Sequence, residues 1–367
     1  MKRSGAKKVI TIILAVFLLL GMIGFIFFRY FTAPVGKYPG KKQQAGYSEL
    51  TELFYDGIFH NEKDDTSENS TNNSDSVKKL PDKAIPAEKP DIDSRQQKGT
   101  LSVTWLGHAS ELIRMGEQNI LIDPVLVKKG KALQIKGTPE RFSDVPVDIK
   151  NMPEIDVVCI SHDHFDHLDY ATIRAIDSKT GAYIVPLGVD VLLEGWGVDR
   201  SKIHVLKWWD SVDINGITCT LTPAMHYSGR FMMKRNATLW GGFYLNDGAY
   251  SVYFTGDTGY YDVFTRIYER LGEPDIMFAD SGEDSPAWSH MAPDEVVRAA
   301  QDMHAKYLVP VHWGAYLYGN FPWYKPAEDI AEESAAAGVY AAFPPIGHTF
   351  DIGSITEQNT RWWEEYK

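Results

Sequence analysis

Three imidazoles and two carboxylates fall within six residues at His162-Asp163-His164-Phe165-Asp166-His167. Imidazoles held this close repel one another when protonated, and neutral imidazole is a good ligand for zinc and similar divalent ions. A His-x-His pair leaving a strand through a tight turn can converge on one metal. Asp166 and His167 can point to a second metal beside it. Further donors belong at strand ends, where loops carry function. His226 follows Leu221-Thr222-Pro223-Ala224-Met225, Asp257 lies in Thr255-Gly256-Asp257-Thr258-Gly259, and His312 lies in Pro310-Val311-His312-Trp313-Gly314. Each alone is an ordinary surface residue type. In this order, together with the histidine turn, they form a coherent donor set.

Other chemistries fit less well. No Ser-His-Asp arrangement stands out, and no carboxylate pair suggests glycoside hydrolysis. Asp257-Thr258-Gly259 occurs once, so it does not make an aspartic-protease pair. The two cysteines, Cys159 and Cys219, exclude a disulfide scaffold and a Cys-rich zinc site, though one bridge between them is compatible with the sequence. A net charge of −12 argues against a nucleic-acid partner, which needs clustered Lys and Arg.

The elements that must position these residues lie after about residue 99. Leu101–Leu106, Asn119–Asp123 and Ile155–Ser161 are apolar, β-rich runs bounded by turn residues, and Thr218–Thr222, Gly242–Leu245 and Tyr250–Thr255 add more. Tyr307–Val311 reads as a further strand before His312. Helices are expected at Tyr170–Ser178, Val189–Trp196, Tyr261–Leu271, Pro293–His304 and Pro326–Ala337. This mixture predicts α/β layering with mixed sheets in one folded domain over 99–367.

Residues 32–98 read as a partly disordered linker, since the stretch Asn61–Ser76 has no large apolar residue. Within it, Tyr47–Phe59 is expected to form a helix packed on the body. Residues 1–31 read as a basic start and a transmembrane anchor. Val9–Phe28 is uncharged and long enough as a helix to match a hydrocarbon core of about 30 Å. A cleaved signal peptide has a shorter apolar region and a small-residue cleavage site; here the run ends in Phe27-Phe28-Arg29-Tyr30-Phe31. Lys2, Arg3, Lys7 and Lys8 favour a cytoplasmic start. The expected location is therefore the plasma membrane, single-pass, with the catalytic domain extracytoplasmic. The first 40 residues hold six Lys or Arg and no acid, leaving −18 on the remainder.

The order His-x-His-x-Asp-His, His, Gly-Asp-Thr-Gly, His-Trp-Gly resembles the metallo-β-lactamase superfamily. Thr104-Trp105-Leu106-Gly107-His108-Ala109-Ser110, Leu121-Ile122-Asp123-Pro124, Leu239-Trp240-Gly241-Gly242 and His290-Met291-Ala292-Pro293 make it similar to one branch of zinc phosphodiesterases, that of N-acyl-phosphatidylethanolamine-hydrolysing phospholipase D. The resemblance covers roughly residues 100–350 and implies an αβ/βα four-layer sandwich with a dinuclear site at one edge. By that resemblance, His162, His164 and His226 hold one zinc, Asp166, His167 and His312 hold a second, and Asp257 bridges them with a hydroxide that attacks phosphorus. The implied cofactors are two divalent ions, zinc foremost. His108 is expected near the metals, Asp123 as acceptor from a metal-bound imidazole, and His290 as a phosphate contact or acid to the leaving oxygen. His60, His204, His304 and His348 read as structural or surface residues. The implied substrate is a phosphodiester, N-acyl-phosphatidylethanolamine or a related lipid being one candidate; a lactone or a soluble phosphodiester is the alternative. Phe231, Met232, Met233, Trp240, Trp288, Tyr316, Tyr318, Phe321 and Trp323 are candidates for an apolar wall at the mouth, or for core.

Overall fold

The computed structural model describes residues 3–63, 80–92, 99–127, 141–230, 234–282, 287–317 and 321–367; within the first helix, side chains are described from Thr11 to Phe25 and at Thr32. The amino-terminal part holds α1 (Arg3–Thr32), α2 (Lys41–Leu50) and a small hairpin of β1 (Phe54–Tyr55) and β2 (Ile58–Phe59). The first half of the body comprises β3 (Leu101–Gly107), β4 (Ser110–Met115), β5 (Gln118–Ile122), β6 (Ile155–Cys159), α3 (Tyr170–Ile176), β7 (Thr180–Pro186), α4 (Val189–Trp196) and β8 (Ile203–Leu206). The second half comprises β9 (Ser211–Ile214), β10 (Ile217–Thr222), β11 (Gly242–Asn246), β12 (Ser251–Phe254), α5 (Val263–Leu271), β13 (Ile276–Asp280), α6 (Pro293–Asp302), β14 (Tyr307–Val311), α7 (Lys325–Ala337) and β15 (Thr349–Asp351).

The strands make two mixed sheets, ordered β15-β3-β4-β5-β6-β7-β8 and β14-β13-β12-β11-β10-β9. Side chains alternate across a strand, so neighbours in β3 and β4 enter different cores. Trp105 and Ile113 join Leu221, Phe243, Phe254 and Phe278 between the sheets. Leu106 and Leu112 join Ile173 of α3 and Leu192 of α4 on the outer face. Phe264 of α5, Val296 of α6 and Ile330 of α7 are also buried in the larger core. The expected α/β sandwich is therefore what these runs build. Its direction matters for the site: β5, β6 and β7 are parallel, as are β12, β13 and β14. The loops leaving those strands collect at one edge, the usual place for ligand sites in α/β sheets. Cys159 and Cys219 are both free and buried, so they form no bridge.

The expected linker needs correction. The described parts of 32–98 pack on the body beyond the expected Tyr47–Phe59 segment. Tyr47, Phe54 and Phe59 are buried and pack as an aromatic cluster with ring centroids 4.8–5.5 Å apart, and the Phe59 amide donates to Asn236 O at 2.8 Å. Ile85 and Ile92 are buried as well. The helix expected at Tyr47–Phe59 ends instead at Leu50 and gives way to the hairpin. The low-complexity run from Asp64 onward lies outside the described residues. The expected anchor finds only partial support. The α1 backbone is helical from Arg3 to Thr32, but among the described residues no helix is long and apolar enough to cross a membrane. Its described side chains, including Ile12, Phe17, Leu18 and Phe25, are exposed.

Glu111 of β4 is fully buried, and among the described residues neither carboxylate oxygen has a hydrogen-bond partner. Burial, with Asp123 adding repulsion, raises its pKa well above the ordinary value. An acid whose folded pKa is raised stabilises the fold below its unfolded pKa and loses that contribution as pH rises. Glu111→Gln is therefore expected to gain stability over the native chain on going from pH 5 to pH 8, on the order of 1–3 kcal/mol, read from denaturant midpoints at the two pH values. A pH-independent difference contradicts this.

Candidate metal centre

Every expected donor stands on a loop at one edge of the sandwich. The turn His162–His167 follows β6, His226 follows β10, Asp257 follows β12 and His312 follows β14. The Asp257 carboxylate is the hub. Its Oδ2 lies 3.1 Å from His167 Nε2, 3.3 Å from His312 Nε2 and 3.7 Å from both His162 Nε2 and His226 Nε2. The donors fall into two groups around it. His162, His164, His226 and Asp257 form one constellation able to hold a metal ion. His108, Asp166, His167 and His312 form the other. Asp166 Oδ2 is 3.8 Å from His167 Nε2 and 3.6 Å from His312 Nε2.

Outer hydrogen bonds aim these imidazoles. Asp123 Oδ2 lies 2.7 Å from His167 Nδ1, while its Oδ1 accepts from the Ser161 amide at 2.7 Å. His226 Nδ1 lies 2.9 Å from Ser289 O. A carbonyl only accepts, so that Nδ1 carries the proton and Nε2 presents a lone pair toward Asp257. Such partners fix the tautomer of a metal-binding histidine. The donor set fits a divalent metal on its own chemistry. His167 Nε2 is buried and points at the Asp257 carboxylate, which other imidazoles also face. Asp123→Ala is expected to leave the His167 Nδ1–H and the Ser161 amide without this partner and to lower metal affinity about 10–100-fold, measured as metal retained per chain after dialysis.

Charge follows the same layout. Burial, reinforced by neighbouring imidazoles and only partly opposed by Asp257, keeps His162 and His226 well below the usual imidazole pKa. Burial opposes charge on His312 too, but Asp257 and Asp166 outweigh it and raise its pKa to about 10. Burial would neutralise Asp257, yet His167 and His312 hold it well below the ordinary carboxylate range. The site thus holds an anionic centre among imidazoles.

Three residues of the site carry unusual backbone conformations. His108, Asp123 and His312 have φ of 58°, 41° and 70°, a left-handed conformation uncommon outside glycine. His312 donates its amide to His108 O at 3.0 Å, and Trp105 Nε1 donates to the same carbonyl at 2.8 Å. His108 Nε2 lies 3.0 Å from Asp166 Oδ2, so His108 joins the second group directly. Gly282 lets the β13 loop approach, since a Cβ there would sit 2.3 Å from His312 Nδ1.

His290 is also brought in, with ring centroids 5.2 Å from His226 and 4.9 Å from His312. Its Nδ1 lies 2.8 Å from Asp280 Oδ2. Asp280 is fully buried and accepts from the Thr258 and Gly282 amides at 2.9 Å. Sequence reasoning missed Asp280. The available signal was an acid ending an apolar strand, as near Asp257. Tyr227 was missed as well; its ring lies 4.6 Å from His164 and 4.7 Å from His226. Among the candidates for wall or core, several described residues fall in the core. Trp240, Tyr316 and Trp323 are buried, and Trp240 Nε1 is bonded to Ala224 O. Trp288 and Phe321 are half-buried, and Trp288 lies 5.9 Å from Tyr227. Phe231, Met232, Met233 and Tyr318 lie outside the described residues. His60 stacks on Tyr55, His304 packs on Tyr268, and His348 pairs with Glu88.

Residues 118–313 match the model of the beta-lactamase superfamily domain. The chain belongs to this superfamily. It is 32% identical over 80% of its length to N-acyl-phosphatidylethanolamine-hydrolyzing phospholipase D 1 of Caenorhabditis elegans, covering 86% of that protein. An uncharacterized protein of Mycobacterium tuberculosis is 36% identical, over 76% of each chain. The fold is similar to that of the isothiocyanate hydrolase from Delia radicum gut bacteria, with a TM-score of 0.54 at 20% identity, covering 68% of this chain and 98% of that one. The protein is a metal-dependent hydrolase with phospholipase D-like relatives.

Proposed function

We propose that the protein is a membrane-anchored, zinc-dependent phosphodiesterase that hydrolyses a phospholipid such as an N-acyl-phosphatidylethanolamine. The observation that carries the metal half is the Asp257 oxygen facing four imidazole nitrogens within 3.1–3.7 Å. His162, His164 and His226 would hold one ion, Asp166, His167 and His312 the other, with Asp257 between them. An imidazole-carboxylate set without cysteine suits zinc in a catalytic site. Two such ions supply hydroxide near neutral pH and neutralise charge on a phosphodiester oxygen.

The chain's own residues do the rest. Asp123 and the Ser289 carbonyl orient the imidazoles of His167 and His226. His108 steadies Asp166. His290, backed by Asp280, is placed to give its proton to the leaving alkoxide. Burial disfavours charge on His290, but Asp280 outweighs this and raises its pKa. The phosphodiester half is supported by the similarity to the Caenorhabditis phospholipase. The membrane half is supported by the α1 backbone and its exposed apolar side chains.

Turnover of bis(p-nitrophenyl) phosphate and of N-acyl-phosphatidylethanolamine by the zinc-loaded full chain tests the chemistry. Lactone cleavage without phosphodiester turnover would replace it. Topology is tested on intact protoplasts: external protease is expected to release the domain, and protection of the domain contradicts the extracytoplasmic placement.

A further inference from the structure

Arg230 is buried beside the metal turn, yet its guanidinium contacts the segment that follows α1. Its Nη1 donates to Asp163 O at 2.9 Å and to Leu168 O at 2.5 Å, at the two ends of the turn carrying His164, Asp166 and His167. Its Nε donates to Pro34 O at 2.8 Å. Its backbone amide donates to Tyr38 Oη at 2.8 Å. One planar fork thus ties two segments that are far apart in the chain. Phe165 and Trp196 lie against it, at 4.2 and 5.1 Å from their ring centroids. Trp196 Nε1 in turn donates to Ala33 O at 2.8 Å. Pro34 and Pro39 are both buried, and Pro39 packs over Gly188, where a Cβ would come within 3.2 Å of its ring. Flexible tethers are rich in Gly and Ser and make no such contacts.

We propose that Ala33–Pro39 is a strap fastening the amino-terminal helix to the metal-binding turn, with Arg230 positioning both, so that the lipid surface reached by α1 is held at a fixed distance from the site. Arg230 is a positioning residue. Its fork geometry matters, because Lys is a single point donor on a flexible stem and cannot serve three carbonyls in the same way. The lipid part rests on the proposed anchor and phosphodiesterase activity; the fastening itself does not.

The test uses the full chain in phosphatidylcholine vesicles, with hydrogen exchange as a readout that needs no substrate. Amides 35–38 and 162–168 are expected to be protected in the native chain. Arg230→Met should speed exchange about tenfold or more in both segments together, with β10–β12 unchanged, and lower metal affinity about 10–100-fold. Arg230→Lys should recover only part of this. Tyr38→Phe, which removes the hydroxyl that accepts from the Arg230 amide and bonds the Asp163 side chain while leaving the guanidinium fork in place, should loosen the strap more mildly and keeps the test readable if Arg230→Met fails to fold. Free exchange of the strap in the native chain, or loosening of one segment without the other, overturns the fastening. A flexible Gly-Ser insert of about ten residues between Thr32 and Ala33 should leave soluble phosphodiester turnover unchanged and cut turnover of vesicle lipid about tenfold. Equal vesicle turnover with the insert overturns the fixed distance. If the native chain hydrolyses neither substrate, the phosphodiester reading fails, and the exchange measurement still decides the strap.

Discussion

Asp257→Asn is expected to give a folded protein that holds less metal and hydrolyses phosphodiesters at least ~10²-fold more slowly, the usual cost of removing an electrostatic stabiliser at a reacting centre. Shape is nearly conserved, so the loss comes from charge. The carboxylate is 4% exposed and is the group that imidazoles from both constellations face. An amide there is neutral, and its nitrogen in place of Oδ2 would turn a donor toward His167 Nε2. Elemental analysis should find the native chain near two metals and the variant below it, with kcat reduced rather than KM raised. Native kcat in the variant removes Asp257 from the mechanism.

His290→Ala should cost about 10²–10⁴-fold in kcat on a lipid phosphodiester if His290 is the general acid. The same variant should cost far less with bis(p-nitrophenyl) phosphate, whose leaving group is already a stable anion and needs no proton. Asp280→Asn should show the same leaving-group pattern more weakly, because it weakens the partner of His290 Nδ1 rather than the acid itself. Equal losses on the two substrates would assign His290 to phosphate binding instead of proton transfer.

The candidate donors that the structure brings together were legible because each follows an apolar strand near Gly or Pro, or sits in a dense histidine turn. Asp123 was legible from its Asp-Pro turn together with the family resemblance. Asp280 was not, since it ends Ile276–Asp280 with no histidine beside it in sequence; His290, its partner, comes ten residues later. Helix α4 was read at its observed bounds, and α3, α5, α6 and α7 within a few residues. Strand β4 was missed because Glu111 and Arg114 interrupt an otherwise apolar run, though both are buried. The amino-terminal segment was legible only in part: packing of Tyr47–Phe59 on the body was expected, but its hairpin and the contacts of the rest were not. Tyr47, Phe54 and Phe59 are isolated aromatics in polar surroundings, and tertiary partners such as Asn236 and the Arg230–Tyr38 contact lie far away in the chain. Local composition carries no record of such contacts. Trp240 and Trp323 look like wall residues by type, but their positions are set by packing between sheets and helices.

The most direct measurement is a zinc titration of the metal-stripped full chain, following bis(p-nitrophenyl) phosphate hydrolysis. Turnover is expected to be negligible without metal and to rise until about two equivalents are bound, with His162→Ala binding less and remaining inactive. Full turnover in the stripped protein, or His162→Ala with native metal content and rate, would contradict the account.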